Sequence, residues 1–126
     1  MPRKAPDPAG DEAWLFDMLG AARAVSLFVA GKTTEQYRAD ELLRSAVERK
    51  VEIIGEAARN ISQRFKTSHS EIPWRQIMAQ RHRLAHEYGD VDDDLIWEVA
   101  TVHVPALVRL LEPLIPPLPP DSGGTT

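Results

Sequence analysis

The run from Asp40 to Phe65, DELLRSAVERKVEIIGEAARNISQRF, decides the fold. Its apolar positions Leu43, Val47, Val51, Ile54, Ala58, Ile61 and Phe65 step by four, four, three, four, three and four residues. An α-helix turns once in about 3.6 residues, so this spacing lines one side of a helix. It is close to the seven-residue repeat that packs helices nearly antiparallel. The spacing predicts a long helix over 41–65 with Asp40 as its N-cap, the carboxylate accepting an otherwise unpaired backbone N–H. Gly55 costs such a helix about 1 kcal/mol relative to alanine, and we read it as a place where a neighbouring helix comes close.

The flanks continue the helical pattern. Upstream, Trp14, Leu15, Met18, Leu19, Ala22, Val25, Phe28 and Val29 recur at three- and four-residue steps and mark one apolar stripe. Asp11 and Glu12 suit the positive start of that helix, and Gly31 supplies its stop. Thr33 or Thr34 caps a short turn that follows. Downstream, 66–71 reads as a polar loop with His69 in solvent, and Ile72-Pro73-Trp74 opens another helix with proline in the first turn. That helix carries Ile77, Met78 and Leu84, frays near His86 to Tyr88 and stops at Gly89. Asp90 to Asp94 makes an acidic start for the last helix. Its buried side is expected to hold Leu95, Ile96, Val99, Val102, Leu107, Leu110 and Leu111, with a kink at Pro105. The expectation is an all-α, up-and-down bundle of four main helices over 11–112. A disordered N-terminus (1–10) and a Pro/Gly-rich flexible tail (113–126) flank it.

Composition narrows the function classes. A chain of 126 residues with 43% hydrophobic content is sized for one domain with a modest core. It has no apolar run of about 18 residues, so no membrane span is expected, and no secretory signal is read at its start. The absence of cysteine excludes disulfides and thiolate metal sites and suits a cytoplasmic protein. Net charge is −4, but residues 38–83 carry ten Lys/Arg against six Asp/Glu, whereas 86–126 carry one against eight. A basic middle beside an acidic end can present a local positive surface; two ordinary solvated helix faces would give the same count.

The chemistry concentrates in WRQIMAQRHRLAHEYG, 74–89, which holds Arg75, Arg81, His82, Arg83, His86 and Tyr88. Guanidinium groups bind phosphate oxygens in bidentate fashion, which makes Arg75 and Arg83 candidate phosphate ligands, and imidazole moves protons near neutral pH. At about 100° per residue Arg81 and Tyr88 share one face, whereas Arg81 and His86 diverge by roughly 140°. Either the helix ends near residue 85 or the site needs a second copy of the chain. One competing reading is an exposed polar helix, with His86 paired to Glu87 or to an aspartate of 90–94. Another is a metal at His82-x3-His86. Arg83 stands where the metalloprotease pattern needs glutamate, and adjacent arginines repel a cation, so no metal is assigned.

ADELLRSAVERKVEIIGEAARNIS, EIPWRQIMAQRHRLAHEY and VDDDLIWEV together resemble the HepT-type toxins of the HEPN superfamily, over about residues 12–112. IIGEAA on the long helix, the IPW opening and the Arg-x4-His-x-Tyr sequence carry the resemblance. It implies a helical homodimer acting on RNA, tRNA among the candidates, as a metal-independent ribonuclease without cofactors. It further implies the toxin role in a type VII-like toxin–antitoxin system, beside a minimal ATP-using nucleotidyltransferase antitoxin. The catalytic pair would be Arg81 and His86, meeting across the dimer, and Tyr88 would accept AMP. His82 departs from the family, where asparagine or another polar residue often stands, and would have a supporting, orienting role. The alternative is a non-catalytic helical module for dimerisation or for binding a nucleotide or partner.

Overall fold

The computed structural model describes residues 10–79 and 92–115, and among these every regular element is helical, as expected. Helix α1, Asp11–Val29, buries Leu15, Met18, Leu19, Ala22, Val25 and Val29 along the predicted stripe. It ends where Ala30 leaves helical geometry and Gly31 turns to φ +74°, a conformation that costs glycine little. The Lys32 N–H then donates to the Val29 carbonyl at 2.9 Å. Helix α2, Thr34–Ala39, opens on a capping box. The Thr33 hydroxyl accepts the Gln36 N–H at 3.1 Å, and the Gln36 side chain accepts the Thr33 N–H at 2.8 Å.

Helix α3, Glu41–Asn60, starts as predicted, with Asp40 accepting the Leu43 N–H at 3.0 Å. It packs chiefly on α1 and buries Leu43, Val47, Val51, Ile54, Gly55, Ala57 and Ala58. The expected run to Phe65 is interrupted. Ile61 is extended, and Ser62 caps a separate helix α4, Gln63–Ser68, its hydroxyl accepting the Phe65 N–H at 3.1 Å. The break is held from outside the segment. Asp11 accepts the Ser62 N–H at 2.8 Å and the Ser62 hydroxyl at 2.6 Å, and both residues are buried. Ile61 stays in the core and Phe65 packs against it, so the apolar rhythm runs through the break and hides it.

The polar loop expected at 66–71 is therefore helical to Ser68, and His69 is its C-cap. His69 is half-buried rather than solvated, its ring 4.3 Å from that of Phe65. Helix α5 begins at residue 74 and is described to residue 79. The Pro73 carbonyl accepts the Ile77 N–H at 3.1 Å, so Pro73 sits just ahead of the helix rather than within its first turn. The expectations for Leu84, the fraying near His86 and the stop at Gly89 fall outside the described residues.

Helix α6, Asp93–Glu98, is capped by Asp92, whose carboxylate accepts the N–H groups of Asp94 (3.0 Å) and Leu95 (3.2 Å). A π-helical turn, Val99–His103, leads into α7, Val104–Leu111, and a 3-10 turn closes at Glu112–Leu114. Proline has no N–H to offer the turn before it, and its ring crowds that turn. The kink expected at Pro105 takes the form of this wide turn just ahead of it. The extra residue shifts the helical phase. Ile96, Ala100, Val104, Leu107 and Leu111 are buried, while Val102, predicted on the buried side, is 55% exposed. Helix α7 lies against α1, and Arg23 pairs with Glu112 at 2.8 Å. No helix among the described residues is long and apolar enough to cross a membrane.

Candidate functional site

Arg81, His82, Arg83, His86 and Tyr88 lie outside the described residues. Arg75 is described, exposed in the first turn of α5. What the fold defines is the frame on either side of the motif.

The incoming side is anchored by apolar and indole contacts. Ile72 and Trp74 are buried, and Ile77 and Met78 pack against the core. The Trp74 indole N–H donates to the His69 carbonyl at 3.0 Å, and its ring meets Phe65 edge-on at 6.1 Å. A tryptophan that buries its ring and satisfies its one donor holds a helix start in a single orientation.

The outgoing side is held by polar contacts that sequence reasoning missed. Arg38 of α2 pairs with Asp94, and Arg44 of α3 donates to the Arg38 carbonyl. The hydrogen bond to Asp94 and its charge raise the Arg38 guanidinium above its usual value. Asp92 is already engaged in capping, so both aspartates hold partners of their own. Beneath them Tyr37 is fully buried, its ring 5.3 Å from Trp97. Its hydroxyl has no hydrogen-bond partner among the described residues. Burial, then Glu48 and Asp93, push this phenol well above its ordinary range, with Arg44 opposing. Part-burial likewise raises the Glu48 carboxyl; Asp93 adds to the rise, Arg44 opposes it and Glu52 adds to it. The Thr33–Gln36 capping box was a local signal that fixed α2, but nothing local said where Tyr37 would point.

Between α3, α5 and the α6–α7 rod lies a groove of about 390 Å³. Its walls include Val51, Ile54, Ile77, Val99, Leu107 and Leu110, with Gln76 and His103 adding polar atoms. Among the described residues no three His, Cys, Asp or Glu side chains gather where they could hold a metal ion.

An all-α frame whose anchored helices flank an Arg-x4-His-x-Tyr sequence is that of a HEPN-type protein. The chain belongs to the HepT-like family: the profile described as "Ribonuclease HepT-like" matches residues 18–114. The chain is 36% identical to a "Probable ribonuclease HepT" of Thermococcus cleftensis, over 80% of this chain and 92% of that one. Two proteins named "Putative RNase" are also similar. One, from Caldanaerobacter subterraneus subsp. tengcongensis, is 36% identical over 69% of this chain and 78% of its own. The other, from Methanocaldococcus jannaschii, is 32% identical over 80% and 93%. No solved structure matches the chain at a significant level.

Proposed function

We propose that this chain is a metal-independent ribonuclease that works as a homodimer, with Arg81 and His86 of the two protomers forming one composite site. The observation that carries the reading is the Arg81-x4-His86-x-Tyr88 sequence inside the region matched to a ribonuclease family. Cleavage begins when one imidazole takes the proton of a ribose 2′-OH. The 2′-oxygen bonds to the adjacent phosphorus, and the bond from phosphorus to the leaving 5′-oxygen breaks. That oxygen takes a proton from the second imidazole. Arg81 stabilises the charge that builds on the phosphate oxygens. Arg75 and Arg83 bind flanking phosphates, and His82 orients the site. Two copies of His86 supply the base and the acid that one chain cannot, and the apolar groove beside α5 supports association of two chains.

In this reading the protein is the toxin of a toxin–antitoxin pair. Its partner, a minimal nucleotidyltransferase, joins AMP from ATP to the Tyr88 hydroxyl and releases pyrophosphate. The added phosphate places bulk and negative charge where substrate phosphate binds.

The test compares wild type with His86→Ala, by growth on expression and by cleavage of RNA with the purified proteins. Wild type arrests growth and cleaves RNA with EDTA present, and His86→Ala loses about 100-fold or more of the rate. Equal toxicity and equal cleavage would return the chain to the non-catalytic module.

A further inference from the structure

The protein is acidic overall, yet one corner of it gathers cations. From Arg59 to Arg75 the chain carries four Lys/Arg and one acid, Glu71. Arg59 ends α3, Arg64 and Lys66 stand on α4, and Arg75 begins α5; the three arginines are exposed and Lys66 is half-exposed. The break at Ile61–Ser62 lays α4 against α5, where the Lys66 Nζ lies 3.7 Å from the Met78 sulfur. Met78 is three positions beyond Arg75, a spacing that places the two on neighbouring parts of one helix face. Arg59 lies close enough to Lys66 to act on its ammonium group. Burial lowers that group's pKa first, Asp11 opposes, and Arg59 lowers it further.

Among the described residues these charges are also without a carboxylate partner. Arg23, Arg38 and Arg49 pair with Glu112, Asp94 and Glu52. Arg59, Arg64, Lys66 and Arg75 have no carboxylate at ion-pair distance among the described residues. The one acid of that stretch, Glu71, lies 3.4 Å from the His69 imidazole, and the nearby Asp11 is buried with both oxygens on Ser62. Phe65 and His69 add a pair of partly buried rings to the same corner. Unpaired cations beside aromatic rings suit single-stranded nucleic acid, whose phosphates and bases they engage together. A protein partner would want an apolar centre. Among the described residues the large exposed apolar side chains are Phe16, Leu27, Leu42 and Val102, none of them in 59–75.

We propose that Arg59, Arg64, Lys66 and Arg75 form an auxiliary surface that holds the phosphates of single-stranded RNA outside the Arg81–His86 motif. The choice of RNA as the polymer rests on the ribonuclease reading. Arg75 links the two, because it stands six positions ahead of Arg81 in the chain.

The experiment measures anisotropy of a labelled single-stranded RNA, about 20 nucleotides long and 2′-O-methylated so that it cannot be cleaved, across a salt series. Wild type is compared with the triple variant Arg59→Gln, Arg64→Gln, Lys66→Gln, with thermal melting to show that both are folded. Each single-strand phosphate contact adds about 0.7 to the slope of log affinity against log salt, so the slope should fall by about 2. Affinity at about 0.1 M salt should fall on the order of 10- to 100-fold. A variant slope equal to wild type overturns the proposal, as does a wild type that binds no RNA. Unchanged RNA binding with loss of the nucleotidyltransferase also overturns it and makes the corner a protein interface. Cleavage of unmodified RNA by wild type, measured separately, shows whether the ribonuclease reading stands or falls independently of this surface.

Discussion

Asp11 and Ser62 stand 51 positions apart in sequence and share two hydrogen bonds in the fold, from the Ser62 N–H at 2.8 Å and from its hydroxyl at 2.6 Å. The same hydroxyl caps α4 by accepting the Phe65 N–H. One carboxylate in the first turn of α1 therefore sets where α3 ends and the direction in which α4 departs. Through α4 it also places His69, whose carbonyl receives the Trp74 indole at the head of α5.

Asp11→Ala leaves the buried Ser62 N–H without its acceptor, a loss of about 1–3 kcal/mol. Urea unfolding should show that destabilisation, whereas Glu12→Ala, at an exposed neighbouring site, should stay within about 0.5 kcal/mol of wild type. An Asp11→Ala protein as stable as the Glu12→Ala control would show that the contact does not hold the break.

Tyr37→Phe should behave in the opposite way. The hydroxyl is buried with no partner among the described residues, and the ring contact with Trp97 survives the change. Removing an unsatisfied polar group should leave stability unchanged or raise it by up to about 1 kcal/mol. A loss of more than about 1 kcal/mol would mean that the hydroxyl is bonded in solution.

Glu48 makes stability depend on pH in the weakly acidic range. Its folded pKa is raised above the ordinary 4.5, first by burial. Between the unfolded and folded values the native state binds more protons, so stability falls as pH rises through that window. Glu48→Gln carries no charge to desolvate. It should remove the fall just above pH 4.5 and unfold at higher urea than wild type at pH 7. Parallel stability–pH curves for the two proteins would refute the assignment.

Tyr88→Phe tests the proposed switch. A phenol with a reference pKa of about 10 is a poor base beside an imidazole. The variant should therefore cleave RNA within a few-fold of wild type (about 1 kcal/mol or less in barrier) and gain no AMP when incubated with the nucleotidyltransferase and ATP. Mass spectrometry reads the modification directly. A modified and silenced Tyr88→Phe protein would move the switch to another residue. Loss of cleavage with the dimer intact would put the hydroxyl in the catalytic machinery.

The candidate site was legible only as chemistry. The kinds of side chain in 74–89, and the 140° divergence of Arg81 and His86 on a regular helix, follow from residue order alone. How those residues meet depends on contacts between elements or between chains, and a helical period encodes neither. The frame shows the same division. Trp74 was legible as a helix start, but that its indole would reach the His69 carbonyl was not, because the path runs through the turn made by α4.

What the sequence determined by itself was local. Asp40 and Thr33 act on N–H groups three residues away, Gly31 takes a positive φ within its own turn, and Pro105 disturbs only the turn before it. Such effects reach no further than a helical turn, so a linear reading finds them. The tertiary structure decided the break at Ile61–Ser62 and the burial of Tyr37. At the break the apolar positions keep their rhythm on both sides, so period carries no trace of the interruption. What selects it is a carboxylate on another helix, and a hydrogen bond between residues so far apart in sequence exists only after the chain has folded.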